Sequence, residues 1–239
     1  MKNAKSVVLL TTATLPPSGI YVLAMTNTAK RIISAKASVF SWAASGVEKI
    51  VITDATGHAL LNDQEINLLN QMNIEVEQIS FIQDHQAVIK KGKGYGEGSI
   101  IKHAIENSKI LQRENSFFKC TGKIYCRNFI EIFQIIDTHN IKNIMWKQPL
   151  EQGGESIDSR FFYTSMEFCK DKILPAYEAI SDREGIVAEG TLAKIASQNL
   201  TRAHTLRPLL TGFSGSMDRP IFDLGLGFLD NNFPCWLNQ

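Results

Sequence analysis

Short apolar runs alternate with helix-patterned ones through the first half of this chain, and that alternation limits the fold more than any other feature. Ser6-Val-Val-Leu-Leu-Thr-Thr-Ala13 is β-rich and apolar on both faces, as a strand inside a parallel sheet must be. Pro16 and Pro17 keep the next loop, Thr14 to Gly19, out of helix. Between Asn27 and Ala44, residues Ile32, Ile33, Ala37, Phe40 and Ala44 recur at helical spacing, and Gly46 stands where helices stop. Lys49 to Asp54 reads as a second buried strand, Asp63 to Met72 as a helix, and Ile74 to Phe81 as a half-exposed third strand. A glycine-rich turn, a helix to about Leu111 and a fourth strand, Phe117 to Thr121, complete the series. Strands separated by helices imply crossovers, so the pattern predicts an α/β, Rossmann-like, mostly parallel sheet flanked by helices.

Beyond Arg127 the order is less regular. A helix over Phe129 to Thr138, a strand near Ile141 to Trp146, a loop with Gly153 and Gly154, the aromatic strand Arg160 to Tyr163 and a helix toward Ile180 are expected. A helix from Glu189 to about Gln198 then leads to a Gly/Ser/Pro-rich tail. The chain divides at this change of pattern into a Rossmann-like half, 1–126, and an irregular half, 127–239, of one domain.

Composition narrows the partners. The 25 Lys and Arg nearly cancel the 24 Asp and Glu, so no global field draws the chain to nucleic acid. No apolar run approaches the ~20 residues that span a bilayer, and Val7 to Leu10 is too short for a secretory segment. Cys120, Cys126, Cys169 and Cys235 lack zinc or disulfide spacing and read as reduced thiols of a cytoplasmic protein. Peripheral attachment at the inner face of a membrane needs only a surface patch and is compatible with the sequence.

Several stretches carry groups suited to chemistry. Asp54 ends the second strand, where open α/β sheets bind ligands; it can accept from ribose hydroxyls or simply form the turn before Thr56 and Gly57. Lys91-Gly-Lys-Gly-Tyr-Gly-Glu-Gly98 can bring backbone N–H groups to a phosphate, with Lys93, Gly94 and Gly96 at its centre, or be a solvated loop. Lys119, Thr121, Gly122 and Lys123 surround the end of the fourth strand, where two lysines can stabilise a phosphate leaving group or merely meet solvent. Asp158 and Arg160 can orient a sugar or form a surface ion pair. Glu189, at a helix start, can act as a general base or as a first-turn acid. Arg207, Ser214 and Ser216 can wrap an anion or pack as a tail. The five histidines are scattered without metal-ligand spacing.

In their order along the chain, Val7 to Pro17, Ile52-Thr-Asp-Ala-Thr-Gly57, Gly94-Tyr-Gly-Glu-Gly-Ser99 leading to the helix Ile100 to Leu111, and the fourth strand resemble a GT-A-type glycosyltransferase of the small bacterial kind associated with capsule and lipopolysaccharide assembly. The resemblance implies a GT-A-like fold with a nucleotide-sugar donor bound by 1–126, a glycan or lipid-linked acceptor bound by an irregular, acceptor-binding and catalytic portion, 127–239, and a nucleoside wall that includes Thr11, Thr12 and Asp54. The family's Asp-x-Asp metal motif is missing: Lys119-Cys-Thr-Gly-Lys123 stands in its place. The expectation is therefore a transferase requiring no cofactor, with Lys119 and Lys123 at the leaving group and Glu189, or Asp158, taking the acceptor proton. A nucleotidyltransferase or other phosphosugar-binding enzyme is the first rival, although the loop Thr11 to Gly19 holds no Lys or Arg. A non-catalytic glycan- or partner-binding relative is the second.

Overall fold

The computed structural model describes residues 6–21, 23–148, 156–223 and 232–239. The first half forms the expected series. Strands β1 (Val7–Thr12), β2 (Lys49–Asp54), β3 (Glu75–Ser80) and β4 (Ser116–Thr121) alternate with helices α1 (Thr28–Ala44), α2 (Asp63–Gln71), α3 (His85–Lys91), α4 (Lys93–Asn107) and α5 (Lys109–Arg113). Their order in the sheet is β3-β2-β1-β4, all parallel. The double-sided apolar pattern has its cause here: β1 and β2 are buried at every position, while β3 is an edge strand with no fully buried residue.

The second half adds β5 (Ile124–Cys126), α6 (Phe129–Thr138), β6 (Asn143–Lys147) and β7 (Ile157–Ser165). A helical segment follows as α7 (Met166–Phe168), a π-turn (Cys169–Ile173) and α8 (Leu174–Glu178), and then α9 (Ala188–Asn199). The final strands are β8 (Thr201–Thr205), β9 (Leu210–Ser214), β10 (Arg219–Phe222) and β11 (Phe233–Asn238). The large sheet continues β4-β7-β6-β11-β8 by antiparallel pairings. Following these pairings across all eight strands, only β7 and β11 run against the rest, so the sheet is mostly parallel, as expected. β10, β9 and β5 form a separate three-stranded antiparallel sheet.

Two expectations change. The glycine-rich stretch 91–98 is not a turn: apart from Gly92, it lies in helix from Lys93 onward. The Gly/Ser/Pro-rich tail carries strands that the sequence reading did not place: β8 and β11 in the large sheet and β9 and β10 in the small one. Composition hid this, since a strand formed late in the chain takes its stability from its neighbours rather than from propensity. The loop around Gly153 and Gly154 lies outside the described residues.

Each face of the sheet carries its own core, and strand periodicity divides the side chains between them. Val8, Leu10, Phe118 and Phe161 join Trp42 of α1 and Phe129 of α6 on one side. Val7, Leu9, Phe117 and Phe162 join Ile101 and Ile105 of α4, Tyr177 of α8 and Leu192 of α9 on the other. Phe118 stacks on Phe161 at 5.6 Å and meets Phe129 edge-on at 5.0 Å, both in ranges that favour aromatic pairs. Phe118→Ala is expected to cost about 3–5 kcal/mol in guanidinium denaturation; an unchanged midpoint and slope would show that this cluster does not hold the fold.

Candidate functional site

A cleft of about 460 Å³ opens at the carboxyl ends of β1 and β4. This is the edge where open α/β sheets bind ligands, because strand ends and helix starts leave free polar groups there. Thr11, Thr12 and Thr121 form its floor, α4 one wall, and β7 and the start of α9 another. Pro16, Ile20, Leu23, Val187, Met217 and Ile221 give it an apolar side.

Asp54 is fully buried and its carboxylate is saturated by the chain itself. One oxygen accepts from Thr12 Oγ1 and from the Thr14 N–H, each at 2.9 Å; the other accepts from the Thr56 N–H at 2.8 Å and from the Thr56 hydroxyl. Asp54 does not line the cleft and acts as the turn-former of its two sequence readings. Arg31 does comparable work from α1: Nε and Nη2 donate to Ala13 O at 2.8 and 2.5 Å, and Nη1 to Met25 O at 2.9 Å. Together these side chains fix the wall that follows β1.

The glycines at 92–98 serve packing. Gly92 takes φ +107°, open to glycine at little cost, and a side chain there would collide with Asp182. A side chain at Gly98 would collide with Tyr177 of α8. The start of α4 is already supplied with an anion, since the Gly94 N–H donates to Asp182 Oδ2 at 3.0 Å. Lys93, Gly94 and Gly96 still line the cleft, and the Lys93 ammonium donates to the Ser216 hydroxyl.

Lys119 is completely buried. Its ammonium donates to Glu97 Oε1 at 2.6 Å and to Ser159 O at 2.7 Å. It does not line the cleft, so its charge is held beneath the floor rather than offered to a leaving group. Thr11 and Thr121 also donate to Glu97, at 3.1 and 3.2 Å. The Ser159 hydroxyl in turn donates to Glu189 Oε1 at 2.9 Å, which orients that carboxylate at the start of α9. Burial, with Glu97 and Glu189 nearby, pushes the Tyr177 hydroxyl well above its ordinary range.

Lys123 differs from Lys119. It is about nine-tenths buried and lines the cleft, and its ammonium has no hydrogen-bond or ion-pair partner among the described residues. Burial, reinforced by the like charge of Arg31, pulls its pKa from the ordinary 10.5 down to about 7; Glu97 and Asp54 oppose that shift.

The remaining candidates separate. Arg160 lines the cleft and is held by Asp158 through two contacts of 2.7 and 2.5 Å. Asp158 itself does not line the cleft and is occupied by that arginine. Gly122 packs under Thr12, donating its N–H to Thr11 O at 2.9 Å. Ser214 and Ser216 line the cleft, whereas Arg207 lies elsewhere, against Phe233 and Asp223. Glu97, Arg31, Ser159 and Asp182 were not singled out by the sequence. Only Glu97 left a signal, as the one acid among the glycines, four residues after Lys93.

The two lysines and the thiol where GT-A enzymes carry Asp-x-Asp do not fit a divalent cation. Among the described residues no group of three or more His, Cys, Asp or Glu side chains gathers anywhere. The four cysteines are buried and unpaired, and burial pushes their thiols up, those of Cys126 and Cys235 to about 12. No helix of the described residues is long and apolar enough to cross a membrane.

No protein-family model matches the chain, and no curated protein matches it in sequence. Among solved structures it is similar to HddC from Yersinia pseudotuberculosis, at 13% identity over 73% of this chain and 79% of that one, with a TM-score of 0.31. It is similar to core-mannan synthase A from Aspergillus fumigatus in its Mn/GDP form, at 7% identity over 79% and 67%, TM-score 0.38. A third likeness is to a Bacillus anthracis protein described as a glucose-1-phosphate thymidylyltransferase, solved with sucrose, at 8% identity over 87% and 89%, TM-score 0.40. At such distances the chemistry must be argued from the cleft itself.

Lys123 gives that argument a stability signature. A lysine whose pKa falls from 10.5 unfolded to about 7 folded binds fewer protons in the folded state between those values. Stability therefore rises with pH across that window and is lowest below it. Lys123→Met is expected to be more stable than the parent at pH 6 and to lose this rise, read as urea midpoints from pH 6 to 10. Superimposable profiles would show that the ammonium carries no such burial penalty.

Proposed function

We propose that this chain is a glycosyltransferase that moves a sugar from a nucleotide-sugar donor to a hydroxyl of a glycan or lipid-linked acceptor. The observation that carries the reading is Lys123: a mostly buried lysine whose ammonium reaches the cleft with no hydrogen-bond or ion-pair partner among the described residues, at the carboxyl edge of parallel strands, in a cleft that also holds an oriented carboxylate, Glu189. An ammonium drawn mostly out of water and left unpaired is disfavoured, and a ligand anion arriving in the cleft would hold it in the charged form. Lys93 and the bound pair of Arg160 with Asp158 add polar contacts for phosphate and sugar.

In the transfer, the bond between the sugar's anomeric carbon and the phosphate oxygen breaks, and its electron pair stays on that oxygen. Lys123 offsets the charge that develops there. The acceptor oxygen bonds to the anomeric carbon and gives its proton to Glu189. The phosphate charge is met by the protein's own cation, so no divalent metal enters the scheme. A setting in bacterial surface polysaccharide assembly, at the inner face of a membrane, follows from the sequence resemblance and belongs to the same proposal.

The test is a thermal-shift panel of UDP-, GDP- and CMP-sugars with and without Mn²⁺, followed by transfer and hydrolysis assays of any donor that binds. A donor is expected to bind and turn over in EDTA, Lys123→Met to lose binding, and Glu189→Gln to bind normally while turnover falls by about 10²–10⁴. Turnover abolished by EDTA and restored by Mn²⁺ would overturn the metal-free scheme. Unchanged binding by Lys123→Met would overturn the role of that lysine.

A further inference from the structure

Glu97 lies on the face of α4 that meets the cleft, four residues after Lys93 and three before Ile100, and all three line it. Its two carboxylate oxygens are treated unequally. Oε1 accepts from Lys119 at 2.6 Å, Thr11 at 3.1 Å and Thr121 at 3.2 Å. Among the described residues Oε2 receives only the Tyr177 hydroxyl, at 3.4 Å, near the limit for a hydrogen bond. An ionised carboxylate offers about four lone-pair sites, so its open capacity is on Oε2.

Exposure is divided the same way. The Lys119 side chain is 0% exposed and that of Glu97 is 19%. Here the cation is beneath the floor and the anion is at its surface, held by three donors from β1 and β4. Such a carboxylate is fixed in direction before any ligand arrives.

A fixed anionic acceptor repels phosphate and attracts hydroxyl donors. Resting on the nucleotide-sugar reading above, we propose that Glu97 accepts hydrogen bonds from ring hydroxyls of the sugar being transferred and so selects which donors bind. Ribose offers the same chemistry, and bare nucleotides separate the two sources.

Calorimetric titration would compare UDP, GDP and CMP with UDP-glucose, GDP-mannose and CMP-N-acetylneuraminate, on the parent chain and on Glu97→Gln. The parent is expected to bind one nucleotide sugar more tightly than its bare nucleotide. Glu97→Gln is expected to weaken that nucleotide sugar by about tenfold or more while leaving the bare nucleotide within about twofold. Equal weakening of both would assign Glu97 to ribose and overturn the proposal, as would no change in either. If the parent binds no nucleotide and no nucleotide sugar, the donor reading itself has failed and this inference falls with it. Because Glu97→Gln leaves Lys119 buried without its counter-ion, the double variant Glu97→Gln/Lys119→Met is run beside it and must show the same selective loss.

Discussion

The ion pair between Lys119 and Glu97 is the interaction on which the molecule's arrangement turns. β4 is the strand at which the parallel half of the sheet meets the antiparallel half, and Lys119 lies within it. Its ammonium joins three elements from different parts of the chain: α4 through Glu97, β7 through Ser159 O, and, by way of Glu97, the end of β1 through Thr11. A bare lysine in that position would carry a prohibitive desolvation cost. With its partners it becomes a fixed junction, and removing either member would leave an uncompensated charge in the interior. The cleft is built on top of this junction, so its floor inherits the rigidity of the sheet.

The two lysines that flank the end of β4 show how little residue type alone reveals. Lys119 and Lys123 stand four apart, around one glycine, and look equivalent in the sequence. Strand geometry buries the first against β7 and α4, while the turn after β4 delivers the second to the cleft. The difference arises from a carboxylate that Lys119 meets and that, among the described residues, Lys123 does not. Glu97 comes from a helix placed by packing, and no local pattern around residue 119 announces it.

What was legible follows from periodicity. Double-sided apolar runs marked β1 and β2, and the alternation of strand and helix fixed the parallel half, because those signals arise from burial within each segment. The tail was illegible for the complementary reason: β8 and β11 are short and mixed in character, and become strands by pairing with each other and with β6. That Thr11, Thr12, Thr121, Lys123 and Glu189 line the cleft could be anticipated because strand ends and helix starts form the ligand-facing edge of open sheets. Asp54 was placed correctly but looks inward, since the hydroxyls of Thr12 and Thr56 reach it first. Of the glycines that suggested phosphate, Gly92 and Gly98 make room for Asp182 and Tyr177, while Gly94 and Gly96 line the cleft.

The position of β11 between β6 and β8 bears on how the molecule is made. During synthesis β6 emerges long before the strand that covers one of its edges, and the intervening chain takes on the order of ten seconds to translate. Throughout that interval β6 presents unpaired backbone groups along an apolar strand, the kind of edge that recruits foreign strands. One flank of the sheet is therefore closed by β11 alone, because β8 reaches the large sheet only through it.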